Sequence, residues 1–558
     1  MRLKSKRLLL LGLSLVVSLL TILGWPLVSI GSAPTGSAPT RSIATEPSIS
    51  QPQQTQSLLE QGLSQYEAEQ FAAAIQSWQQ ALVTLPHSSW QQGWIWNSLA
   101  LAYQQLGRWD EAEAAVQQGL AALTDLETAD PKAAAAPRAK LLNTQGRWHW
   151  YRNQPEQALQ SWQQAALAYQ QADDRTGLTI SLINQARAFQ SLGFSSRAET
   201  LLEQVENLQH QEADPALKAT GLRDLGNALR RIGKLQDSRE LLQSSLEVSS
   251  QVQASERAGA EAAIYLDLGN TERALGYKAV AIGDRATAQI QFQQALATYQ
   301  QAVQASERSA PLTAPLAALQ AQLNQFSLLI ELNRRSEALA MTTLRTDLEA
   351  LPATRTSLYA RLNYAHSMAK AVAQDSVTPD QPVLKDLARF LAQTGEQAKA
   401  LGDRRAESYA LGELGELYER AGQWGEAETL TQQALLQAEA LQAADVRYRW
   451  EWQLGRLLKQ QGNQSAALAA YQAAVESLQS VRNDLLSVSD EVQFSFRDDV
   501  EPVYRGLVEL LLTDGGPNPA VSQANLKQAI QQINALQLAE LNNFLGCNLA
   551  QIVELDDV

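Results

Sequence analysis

One pattern of eight positions recurs along this chain, and it constrains the fold more than any single residue does. In WNSLALAYQQLGRWDEAEAAVQQGL the positions are Trp96, Leu99, Ala100, Tyr103, Gly107, Ala112, Val116 and Gly119. The same offsets return as Leu222, Leu225, Gly226, Leu229, Gly233, Ser238, Leu242 and Ser245. They return again as Leu411, Leu414, Gly415, Tyr418, Gly422, Ala427, Thr431 and Ala434, with further copies starting at Leu182 and Glu451. The first four positions lie three or four apart, the spacing of one helix face. The third is small, so a second helix can approach closely there. The fifth is a glycine, whose backbone freedom ends the first helix. The last three form the facing stripe of a second helix, as do Ala74, Trp78 and Ala81 ahead of Pro86. Each unit is thus a helix pair that cannot bury its apolar face alone and has to stack on its neighbours.

The pattern resembles the tetratricopeptide repeat (TPR), and the resemblance covers most of residues 56–480. It implies an all-α fold, a right-handed superhelical α-solenoid of antiparallel helix pairs. The small positions fall at 62, 100, 146, 186, 226 and 269, then at 415 and 455, in steps of 38 to 46. The common repeat is about 34 residues long, so helices or connections are longer here. An insertion from Gly276 to Ala288 is expected to separate the halves of one unit. The array is expected at 56–309 and 401–480, with degenerate helical pairs at 310–400 that keep the periodicity and lose the offsets. Only 30 glycines and 18 prolines occur among 558 residues rich in Ala, Leu and Gln, which suits helices.

The N-terminus reads as an address. Arg2, Lys4, Lys6 and Arg7 precede an apolar run from Leu8 to Leu23, and small residues follow at Ser29, Gly31, Ser32 and Ala33. That is the signature of an export signal. Residues 1–33 are therefore expected to be a signal cleaved after Gly31 or Ala33, or an uncleaved membrane anchor using residues 8–30. The protein is expected to be exported, periplasmic or extracellular. Residues 34–55, rich in Ser, Pro, Thr and Gln, read as a flexible linker.

From residue 481 to 558 the small positions vanish and long apolar-periodic helices follow. Phe494-Ser-Phe-Arg497, Glu501-Pro-Val-Tyr504, Leu538 to Phe544 and Cys547-Asn-Leu549 resemble the lead-in of cyanobacterial CHAT-type proteins, whose repeats precede a caspase-like protease domain. The resemblance stops at Val558, ahead of that domain. Cys547 is the one cysteine and lies in Leu-Gly-Cys-Asn-Leu rather than a caspase context, so it reads as a packing thiol. No Gly-x-Ser-x-Gly, P-loop or His-Glu-x-x-His motif occurs, and four histidines offer little for metal binding. No catalytic residue, cofactor site or metal site is expected. The paired acids Asp173 and Asp174 read as helix caps.

A binding scaffold is the function this pattern supports, with the regulatory half of a split or truncated CHAT protease as the alternative. In this repeat class the first helix of each pair lines the concave side. Beside the packing stripe, the inward positions are Lys140, Asn143, Arg147 and Trp150, then Arg187, then Arg223, Asn227 and Arg230, then Asn270 and Arg273. In a chain of net charge −14, these form a strip of cations and amides. They are expected to be unpaired and to hold a protein or peptide ligand with an acidic segment or a free C-terminus. The net charge argues against nucleic acid. Of the twelve tryptophans, Trp78, Trp96 and Trp162 read as core, whereas Trp94, Trp150 and Trp452 are candidates for ligand contact. Ile530, Ile533, Leu536, Leu538, Leu541, Phe544 and Leu545 should leave an apolar face for self-association through 520–549, or for a separate CHAT-like partner.

Overall fold

The computed structural model describes residues 51–85, 89–106, 108–152, 154–308, 315–373, 381–481, 500–513 and 523–545. The export segment, most of the linker, Gly107 and Cys547 lie outside them. No strand occurs among the described residues. The helices pair as α1 (Gln51–Glu67) with α2 (Phe71–Thr84), α3 (Trp90–Gln105) with α4 (Trp109–Ala129), and α5 (Pro131–Tyr151) with α6 (Pro155–Gln171). They continue as α7 (Arg175–Ser191) with α8 (Ser195–His210), α9 (Pro215–Arg231) with α10 (Leu235–Ser249), and α11 (Ala254–Ala281) with α12 (Arg285–Glu307). Next, α13 (Pro315–Glu331) faces two short helices, α14 (Arg335–Leu339) and α15 (Leu344–Ala350), which flank the poor helix formers Thr342 and Thr343. The array closes with α16 (Arg355–Ala373) and α17 (Gln381–Leu401), α18 (Arg404–Arg420) and α19 (Trp424–Ala440), then α20 (Ala444–Gln460) and α21 (Gln464–Val481). Two C-terminal helices follow, α22 (Glu501–Leu512) and α23 (Gln523–Leu545). The whole is a right-handed superhelix of antiparallel pairs.

The turns explain the helix ends. Gly193, Gly233, Gly422 and Gly462 all have φ between 74° and 81°, a left-handed conformation that costs other residues more. Helix starts are capped by Asp130, Asp174, Asp214, Asp284 and Asp403, whose carboxylates accept first-turn amides. Asp130 and Asp214 precede Pro131 and Pro215, the residue type suited to the first helical position. The cap expected at Asp174 is present, with Gly177 N donating to its Oδ1 at 2.8 Å.

The small third position is where each pair closes. A Cβ at Gly146 would lie 2.4 Å from Trp162, one at Gly62 2.3 Å from Trp78, and one at Gly455 2.5 Å from Tyr471. In each case the bulky partner is sixteen residues on, as Leu242 is from Gly226. Tyr471 is also clasped from the other side, because a Cβ at Gly506 on α22 would lie 2.3 Å from it. Val503, Tyr504, Leu507, Leu510 and Leu511 bury α22 against the last pair.

Two expectations change. The structure has no insertion between the halves of the α11–α12 unit. Gly276 meets Phe292, again sixteen residues on, and Gly283 makes the turn at φ 78°. Gly276 is thus the true small position, and Gly269 packs on Tyr299 one layer farther from the turn. Seven residues are nearly two helical turns, so both glycines share one stripe and sequence spacing alone does not separate them. The hairpin is lengthened at its open end, to 28 and 23 residues against 17 and 15 in the α9–α10 pair. The linker boundary moves as well, since α1 already begins at Gln51 and buried Thr55 bonds Thr84 Oγ1 at 2.7 Å.

The curvature follows from which helices meet. Each first helix packs on the next first helix, in the order α3, α5, α7, α9, α11, α13, α16, α18 and α20. Among the described residues no comparable packing joins successive second helices. The first helices therefore form the tight inner side.

Candidate functional site

The inner side carries polar side chains because its residues lie off the packing stripe, yet most of them are engaged with the neighbouring repeat. On α5, Lys140 rests over the Trp94 ring at 4.6 Å. Burial pushes its ammonium down to about 8, against a smaller opposing pull from Asp174. Asn143 accepts a bond from Asn184 at 3.3 Å through Oδ1, and its carbonyl accepts the Trp162 indole N–H at 3.2 Å. Arg147 is half-buried, lies within electrostatic reach of the half-buried Tyr66 of the first pair, and makes no ion pair among the described residues. Trp150 lies against Trp162 at 5.9 Å, and Arg187 from α7 stacks on it at 4.4 Å.

The arginines of α9 and α11 are not the unpaired cations expected. Arg223 pairs with Asp224 at 3.1 Å and Asp267 at 3.5 Å. Asn227 donates to Asp267 Oδ2 at 2.7 Å, and Arg230 reaches Asn227 Oδ1 at 3.5 Å. Burial pushes the Asp267 carboxyl up, while Arg223, Asn227 and Arg230 pull it the other way. Arg273 pairs with Glu331 on α13 at 2.7 Å and donates to Ser327 Oγ at 3.2 Å and Tyr277 Oη at 2.9 Å. Tyr277 in turn donates to Glu331. Asn270 accepts from Tyr299 Oη at 2.9 Å and Asn324 Nδ2 at 2.8 Å. A side chain at this depth is desolvated, so it draws in whatever partner the next helix offers.

The tryptophan assignments also change. Trp94 and Trp150 are core residues, 5% and 4% exposed, with cations across their faces, so they offer no open platform. Trp452 is half-buried and carries Arg456 of its own helix at 4.3 Å.

A second charged group lies along the same inner line. Arg456 grips Glu419 through two bonds of 2.9 and 2.8 Å. Glu416 pairs with Arg420 at 2.5 Å, and His366 Nδ1 lies 2.9 Å from Glu413. Burial would raise the Glu416 carboxyl, but Arg420, Arg456 and His366 outweigh it and hold it down at about 2. The signal for these residues was present in the sequence. Counted from Gly415 and Gly455, the offsets used for the first half name Glu416, Glu419, Arg420 and Arg456.

On α23 the apolar face is open only in part. Ile530 and Ile533 are 53% and 42% exposed, with Leu526 one turn before them. Leu536, expected to be open, is buried with α22 in the C-terminal core, and Leu538 is half-buried. The side chains of Leu541, Phe544 and Leu545 lie outside the description. Among the described residues no cluster of three metal-binding side chains occurs, and no helix is long and apolar enough to cross a membrane.

Stacked helix pairs with a continuous inner side define a helical-repeat scaffold. The tetratricopeptide-repeat family model matches residues 95–129 and 410–443, the α3–α4 and α18–α19 pairs, so the chain carries tetratricopeptide repeats. That match is to the repeat alone, and the resemblance to CHAT proteins finds no support in it. No curated protein matches the sequence. Among solved structures, the chain is similar to a Rap protein complexed with competence and sporulation factor, at 12% identity over 71% of this chain and 99% of that one, with a TM-score of 0.34. It is similar to a human IFIT1 dimer with m7Gppp-AAAA, at 14% identity over 77% and 91%, with a TM-score of 0.36. It is also similar to yeast Tom70, at 10% identity over 90% and 99%, with a TM-score of 0.27.

Proposed function

We propose that this chain is an exported, non-catalytic scaffold that holds a protein or peptide partner on the inner side of its solenoid. An anionic stretch of the partner lies along α5 and α7. The observation carrying this reading is the inner edge of those two helices, where Lys140, Arg147 and Arg187 gather cations in a chain of net charge −14. Arginine offers a planar donor fork to carboxylates, and a concave surface with walls of low dielectric strengthens the attraction. The export segment belongs to the same reading, and N-terminal sequencing of the exported protein tests it.

A fluorescein-labelled decapeptide of alternating Glu and Leu is the direct probe. The full chain should bind it saturably by anisotropy, more weakly as salt rises. The variant Arg147→Ala with Arg187→Ala should bind about tenfold less tightly, a loss of about 1.4 kcal/mol. A Gln-for-Glu peptide that binds equally well would refute the anionic part of the reading. Absence of saturable binding at low salt would refute the groove for this class of ligand. The alternative, a regulatory half of a split CHAT protease, draws on the open Leu526, Ile530 and Ile533 stripe of α23. Under that reading, co-expression with a separately encoded CHAT-like domain yields a stable complex.

A further inference from the structure

The first pair touches the eighth unit of the array across the superhelical turn. Glu69, in the turn between α1 and α2, accepts the Thr356 backbone N–H at 2.7 Å and the Thr356 hydroxyl. Arg355, beside it, donates to the Gln105 carbonyl at 2.6 Å and pairs with Asp403 at 2.9 Å. These partners are 287, 250 and 48 residues apart. Among the described residues no helix packs lengthwise on another across this junction.

The chemistry of the contact is reciprocal. Thr356 sits in the first turn of α16, where amides lack intrahelical partners and the helix end is positive. Glu69 supplies a carboxylate there from another repeat. Gln105 ends α3, where carbonyls lack partners and the helix end is negative. Arg355 supplies the cation. Asp403 caps α18 through Ala406 N at 3.0 Å, so Arg355 ties three helix ends together.

Glu69 also breaks a rule of this chain. It stands where the six other such turns described at this position have glycine or asparagine: Gly193, Gly233, Gly283, Asn333, Gly422 and Gly462. Its φ is nevertheless 57°. A glutamate in the left-handed region is strained, and such strain persists where a side chain has a task. We propose that Glu69 and Arg355 form a releasable latch between the first two repeats and the α16–α18 helix ends. It holds the first superhelical turn closed around the inner strip, and its release lets the N-terminal repeats swing away.

The full-length chain tests this with spin labels at Ala72→Cys and Ala400→Cys, both exposed sites, in a Cys547→Ser background. Parent protein should give one short distance population. Glu69→Gly restores the residue type of the sibling turns, so folding is not impaired, and combined with Arg355→Ala it should add a longer and broader population. An unchanged distribution in the double variant would show that repeat packing alone sets the closure, and the proposal fails. Loss of helical circular dichroism in Glu69→Gly alone would show the contact to be a folding requirement rather than a latch, and fails it equally.

Discussion

One close approach in the middle of the array gives a sharp test of how the pairs are held. In Gly146→Ala the new methyl would lie 2.4 Å from Trp162 Nε1 and 2.5 Å from Cδ1, where ordinary contact begins at 3.4 Å. The indole has nowhere to retreat. It is 1% exposed, it donates to the Asn143 carbonyl at 3.2 Å, and its face meets Trp150, which carries Arg187. Overpacking of this kind costs about 1–3 kcal/mol. Displacing the indole from its acceptor adds about 1 kcal/mol, while alanine returns about 1 kcal/mol of helix propensity. The net expectation is a destabilisation of about 1–3 kcal/mol. Because α5 packs on α3, α4, α6 and α7, the loss should concentrate in α5 to α7.

Urea unfolding followed by circular dichroism measures the total, and amide exchange along α5 measures the local share. Gly425→Ala is the control, since a Cβ there meets nothing within 4 Å. It should be neutral or mildly stabilising. If Gly146→Ala proves as benign as Gly425→Ala, the small position is not what fixes the pairing, and the argument from offsets to packing collapses.

Glu416 is held at about 2 against an unfolded value of about 4.3, so it contributes up to about 3 kcal/mol above pH 4.5, lost as pH falls from there towards 2. Glu416→Gln should therefore destabilise the chain at pH 7 and cost about half as much at pH 3; a pH-independent difference in urea midpoint refutes it. Lys140 has the opposite sign, because its folded value of about 8 lies below an unfolded value of about 10.4, so stability should rise between pH 8 and 10. Lys140→Met should abolish that rise and stabilise the chain at pH 7 by about 1–2 kcal/mol after the lost cation–π contact, and an unchanged or lowered melting temperature counts against it.

The solenoid was legible because its signal is repeated. A small residue, a turn glycine and a bulky partner at fixed offsets leave one way to stack, and Gly226, Gly415 and Gly455 pack as those offsets require. Register was harder. At Gly269 and Gly276 two glycines seven residues apart satisfy the same stripe, and only the meeting with Phe292 and Gly283 separates them. The inner strip was half legible. Offsets locate a side chain on a face of its own helix, but its partner comes from the next repeat, 40 to 60 residues on, at a register that sequence does not state. Asn227 with Asp267, and Arg273 with Glu331, are pairs of that kind. The contact from Glu69 to Thr356 lies farther still from any local signal.

That internal pairing decides where on the strip a partner can be anchored. At α9 and α11 the donors already face acids within the chain. Asp267 occupies the place a ligand carboxylate would take between Arg223 and Asn227, and an intramolecular competitor acts at a high effective concentration. Exchange of one carboxylate for another there yields little net attraction. Removing Arg223 would instead leave Asp267 buried and poorly compensated, a defect of the kind that costs about 3–5 kcal/mol when the pair is deep. Arg223→Ala therefore acts first on the fold. At α5 and α7 the balance differs, because Lys140 and Arg187 lie on ring faces and Arg147 has no ion pair among the described residues. A carboxylate arriving there displaces no internal acid from Arg147, and beside Lys140 it would favour the protonated form that burial disfavours. The paired half stiffens the curve, and Arg147 on α5 is the place where the proposed anionic stretch would meet a cation without displacing an internal acid.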